Sequence, residues 1–77
     1  MTFRTQDGTI LTNTAPPGIV AELHKLSHTQ YATDVEFMYQ MAARAALQTG
    51  KRISAANADE FVASLVSVGL LIDEDKE

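Results

Sequence analysis

Two periods of apolar and polar residues divide this chain. Over the first twelve residues, threonines and apolar residues flank Asp7-Gly8, whereas from Pro17 onward apolar residues recur three and four positions apart. The first pattern predicts a short β-hairpin over Thr2 to Thr12, because Asp-Gly readily takes the positive backbone angles of a two-residue type I′ turn. Such a turn sets Thr5 opposite Ile10 and Phe3 opposite Thr12, so that Phe3 and Ile10 share a face. A lone hairpin is marginal in water, so this one is expected to lie on the rest of the chain or on another chain.

The second pattern predicts three helices. Asn13 to Gly18 is a linker in which Pro16-Pro17 forbids strand pairing and leads into a helix from about Pro17 to Ser27, with Ile19, Leu23 and Leu26 on one side and Val20 beside them. A polar connection, His28 to Ala32, follows. Thr33-Asp-Val-Glu36 has the spacing of a capping box and opens a central helix over Asp34 to Thr49, which Gly50 ends. Asn57-Ala-Asp-Glu60 repeats that spacing at the head of a third helix carrying Phe61, Val62, Leu65 and Val66 and stopped by Gly69. Leu70 to Ile72 then forms an apolar hook, with the option of pairing as a strand with the hairpin.

The central helix has the most unusual pattern. Glu36, Gln40, Arg44 and Gln48 form a single polar stripe, and apolar residues spread over the remaining circumference. So wide an apolar arc implies cover from two sides, by neighbouring helices or by a second copy of the chain. Met38 and Met41 beside Ala42 and Ala45 suit an adaptable contact, since thioethers repack easily and alanines let another helix approach. Phe37, Met38, Met41, Ala42 and Ala45 are therefore expected to form an apolar protein interface, with Arg44 and Glu36 at its rim.

Length sets the scale: 77 residues are enough for one domain, expected over residues 1–72, and too few for two cores. The absence of cysteine removes disulfides as a means of stabilising so small a body and agrees with a reducing compartment, so a cytoplasmic location is expected. Arg4, Gln6, Asp7 and Asn13 interrupt the start of the chain where a secretion signal would be apolar, and the longest apolar and glycine run, Val68 to Ile72, is far too short to span a membrane. Of the net charge of -4, most sits in Asp73 to Glu77, which holds four acids and one base and is expected to be a flexible acidic tail.

Candidate chemistry is sparse. His24 and His28 are spaced to share a helix face, yet two imidazoles with no cysteine and no third ligand do not make a metal site, so neither metal nor cofactor is expected. No Gly-x-Ser-x-Gly turn exposes a serine, and the acid pairs Asp34/Glu36 and Asp59/Glu60 lie in first helical turns, where they offset the helix dipole. Gly50-Lys51-Arg52 lacks the earlier glycine and the following serine or threonine of a phosphate-binding loop.

The last helix leading into Gly69-Leu70-Leu71-Ile72 resembles the end of a winged helix, in which a recognition helix runs into a wing strand. That resemblance implies DNA contact, with Arg44, Lys51 and Arg52 as the residues to carry it. Charge opposes it, because the would-be recognition helix has Asp59 and Glu60 at its head and no base. The sequence thus predicts a mainly α fold, a hairpin followed by a three-helix body. Its expected role is that of a non-catalytic protein-interaction module, homodimeric through the central helix.

Overall fold

A computed structural model of the chain describes residues 1–27 and 30–74. His28, one half of the histidine pair, lies outside the described residues, as do Asp75, Lys76 and Glu77 of the acidic stretch. Three strands and three helices follow in the order β1 (Thr2–Thr5), β2 (Ile10–Thr12), α1 (Pro16–Leu26), α2 (Asp34–Thr49), α3 (Ala58–Ser67) and β3 (Leu71–Asp73). The architecture is therefore mixed, three helices on a three-stranded antiparallel sheet, rather than helices with a hairpin alone.

The sheet order is β2-β1-β3, so the apolar hook after α3 does become a strand and pairs with the hairpin. Thr5 lies opposite Leu71 and Phe3 opposite Asp73. Acidic residues expected in a free tail take part: Asp73 ends β3, the Glu74 amide donates to the Thr2 carbonyl at 2.9 Å, and its carboxylate meets Arg4 at 2.6 Å. Two of the five tail residues thus belong to the sheet, because β1 offers an unpaired edge that they extend along.

Hairpin register differs from the expected one. Phe3 faces Leu11 and Arg4 faces Ile10, one residue away from the pairing of a two-residue loop. Gly8 donates to the Thr5 carbonyl at 3.1 Å and Thr5 donates to the Thr9 carbonyl at 2.9 Å, closing a three-residue loop in which Gly8, at φ 92°, supplies the left-handed residue of a bulge. Asp7 decides this. Its carboxylate accepts from the Thr5 hydroxyl and from the Thr9 amide at 3.1 Å, which holds the wider loop. A slip of one residue exchanges faces, so Leu11 joins Phe3 in the core at 2% exposure while Ile10 is turned out at 55%.

Each helix end has a visible cause. Two prolines occupy the first turn of α1, where their missing N–H groups have no intrahelical partner to lose. Thr33 and Asn57 cap α2 and α3, accepting from the Glu36 and Glu60 amides at 3.1 and 2.9 Å. Gly50 closes α2 in the left-handed region at φ 69°. Leu70 and Gly69 donate back to Leu65 and Val66 at 2.9 and 3.1 Å, a Schellman turn that swings the chain from α3 into β3.

One core unites these pieces. Phe3, Leu11 and Leu71 from the inner sheet face meet Ile19, Val20 and Leu23 of α1, Phe37, Met38, Ala42 and Ala45 of α2, and Phe61, Val62 and Leu65 of α3. Phe37 and Phe61, each directly after a capping glutamate, meet edge to face with ring centres 6.4 Å apart. No helix among the described residues is long and apolar enough to cross a membrane.

Candidate interaction surface

The arc expected to serve as an interface is split by the fold. Phe37, Met38, Ala42 and Ala45 are buried in the chain's own core, between 3% and 6% exposed. Met41 is half-buried, and only Arg44 of the six is exposed. α1 and α3 pack against this side of α2, so the four buried residues of the expected contact lie in the chain's own core.

Among the described residues, the other side of the same arc has no neighbour. Val35, Tyr39 and Leu47 are 54%, 60% and 87% exposed, and Ala43 is exposed between them. They stand four residues apart, one position ahead of the polar stripe Glu36, Gln40, Arg44 and Gln48. Four residues rise about 6 Å along a helix, so the apolar row runs for about 18 Å. Three large apolar side chains in one row on one helix form a patch rather than the scattered exposure any surface carries. The sequence carried the signal, an apolar residue at every fourth position, but the width of the arc hid which half the chain would use.

A second cluster joins α1 to the head of α2. His24, 9% exposed, lies against Asp34 with Nδ1 and Oδ1 at 2.8 Å, and its Nε2 accepts the Tyr31 amide at 2.9 Å. Because a backbone N–H can only donate, Nε2 must be the bare nitrogen and Nδ1 the protonated one. The ring stacks on Phe37 at 4.9 Å and 11°. Both nitrogens are thus committed to the chain's own groups, which fixes the entry into α2 and leaves neither for a metal or for proton transfer. Among the described residues no three histidine, aspartate or glutamate side chains gather as a ligand set.

Between the hairpin loop, the end of α1 and α2 lies an open cleft of about 700 Å³. Leu23, Leu26, Phe37 and Met41 form its apolar floor, and Asp7 and Arg44 stand on its rim. Hydrogen bonds from Thr5 and Thr9 hold the Asp7 carboxyl below its ordinary value of 3.8. Arg44 donates to the Tyr31 hydroxyl. The rim groups are therefore occupied with holding the hairpin loop and the Tyr31 side chain in place.

Of the residues set aside for DNA, Arg44 sits on this cleft rim, while Lys51 and Arg52 are exposed in the connection from α2 to α3. The exposed positions of α3 are Asp59, Glu60, Ala63 and Ser67, with no base among them. The strand after α3 pairs with β1, on the far side of the hairpin, and not with a following strand as a wing would. No family model matches the chain, and no curated protein or solved structure matches it either, so what it does has to be read from its own residues.

Proposed function

We propose that the chain is a small non-catalytic protein-interaction module, an adaptor, inhibitor or assembly factor, that docks the outer face of α2 on another protein chain. One observation carries this reading: a row of Val35, Tyr39 and Leu47 stands in solvent on a helix whose opposite side is already packed. An 87% exposed leucine beside an exposed tyrosine does nothing for the fold and favours aggregation unless something covers it. Tyrosine is also the residue type that interfaces favour, a rigid apolar ring with a polar tip.

The test is footprinting with hydroxyl radicals on purified, dilute protein and on the same chain in the lysate of the cells that make it. Tyr39 and Leu47 are expected to oxidise readily when dilute and to be protected in the lysate, with Ile10 labelled equally in both. Equal oxidation of Tyr39 and Leu47 in the two samples would sink the proposal.

A further inference from the structure

The outer row of α2 is apolar in its middle and oppositely charged at its ends. Glu36 is exposed in the first turn, whereas Lys51 and Arg52 are exposed just past the last turn. No acid on α2 follows Glu36 and no base on it precedes Arg44, so the charge runs from negative to positive along the row. A helix of this kind is complementary to itself reversed. Side by side in the same direction, Glu36 would face Glu36, and Lys51 and Arg52 would face their own copies, which is repulsive at both ends. In opposite directions, each acid meets the partner's bases, and the helix dipoles also oppose.

Register follows from the spacing. A two-fold axis at Ala43 places Tyr39 against the partner's Leu47 and Leu47 against the partner's Tyr39, since both stand four residues from the axis. Ala43 then meets its own copy at the centre, where two methyl groups let the helix axes approach closely. Val35 falls toward the partner's α2 carboxyl end, where Lys51 is exposed just past the Gly50 cap and has a methylene stem long enough to lie over the valine. Every large apolar residue of the row finds an apolar partner surface, and each end finds an opposite charge.

We infer that the occupant of this face is a second copy of the chain, bound antiparallel along α2 about a two-fold axis at Ala43, with Glu36 and the Lys51-Arg52 pair setting the direction. This rests on the reading of the outer face as the docking surface and names its partner. The contact is isologous and closes on itself, giving a dimer rather than a fibre. One helix row is a small interface, so the dimer is concentration-dependent.

The chain has no cysteine, so single cysteines report the pairing cleanly. Light scattering on a dilution series of the native chain and of Leu47→Glu is combined with oxidation of Ala43→Cys, of Tyr39→Cys and Leu47→Cys alone, and of the last two mixed. The expected result is a dimer that falls to monomer on dilution and is split by Leu47→Glu, with disulfides in Ala43→Cys and in the mixture but not in Tyr39→Cys or Leu47→Cys alone. Glu36→Lys and the double variant Lys51→Glu/Arg52→Glu should each dimerise more weakly than the native chain and pair with one another when mixed. Disulfides in Tyr39→Cys and in Leu47→Cys alone, with no mixed disulfide joining the two variants in the mixture, would mean a parallel pair and overturn the inference while leaving the docking face standing. A chain that stays monomeric at every concentration would overturn it too, and lysate protection of Tyr39 would then assign the face to a different protein. Circular dichroism on each variant separates loss of pairing from loss of fold.

Discussion

The two flanks of α2 are drawn from nearly the same residues and meet opposite fates. Phe37, Met38, Ala42 and Ala45 on one flank are buried, while Val35, Tyr39, Ala43 and Leu47 on the other stand in solvent. Both flanks are apolar, so hydrophobicity alone did not choose between them. The capped start at Thr33 and the His24–Asp34 contact fix the entry of α2 beside α1, with the buried flank turned toward the core. An apolar face is core only where the chain has another element to lay on it.

Breaking the inner flank should have the largest effect. Phe37→Ala removes the ring that stacks on His24 and meets Phe61, and is expected to cost about 3–5 kcal/mol of stability. The whole domain is stable by only about 4–12 kcal/mol on a per-residue basis, so the urea midpoint should fall by about a quarter at the least, and at the low end of that range the variant should not fold. A variant that unfolds with an unchanged midpoint would place Phe37 outside the core.

His24→Phe sharpens the comparison at the anchor. The ring stack survives, but the Tyr31 amide and Asp34 lose their partner, an expected loss of about 1–3 kcal/mol, with faster amide exchange at Tyr31. A smaller effect belongs to the caps. Thr33→Ala and Asn57→Ala should each lower thermal stability by about 1 kcal/mol, and near-additively, because they cap different helices.

On the outer flank the ranking reverses. Leu47→Ser should change stability by less than about 0.5 kcal/mol, since an 87% exposed side chain gives up little on truncation, yet it should weaken association measurably. Equal stability losses for Leu47→Ser and Phe37→Ala would erase the distinction between the flanks.

The smallest effect concerns pH. Asp7 has a carboxyl held below its ordinary value by the Thr5 and Thr9 donors, so its contribution is present above the ordinary value of 3.8 and is lost as pH falls through the lower folded value. Thr5→Val removes the first of those donors. A carbon-detected NMR titration should then find Asp7 titrating closer to 3.8 than in the native chain.

Local chemistry made much of the fold legible. Thr33, Asn57, Gly50 and Gly69 mark helix ends in the sequence and mark them in the structure, because a cap acts within one turn of the chain. The hairpin was legible as an element but not in register, since Asp7-Gly8 admits both a two-residue and a three-residue loop. The Asp7 side chain and the burial of Leu11 select the second. Gly18 lies inside the first turn of α1, where a β-carbon would meet the Asn13 side chain and make it turn aside, a contact between residues that only the folded bend brings together.

The interaction face shows the same limit. An apolar residue at every fourth position from Val35 to Leu47 was present in the sequence, as were the charges at its ends, but so was an equally apolar row through Phe37, Met38 and Met41. The sequence by itself determined which segments are helical, where α2 begins and ends and where α3 begins, and that α2 carries more apolar surface than one neighbour needs, because capping, propensity and periodicity are properties of short stretches. Only the tertiary structure decided that β3 joins the hairpin, that Leu11 and not Ile10 enters the core, and that Val35, Tyr39 and Leu47 are left outside. Those outcomes depend on which surfaces residues far apart in the chain can cover together.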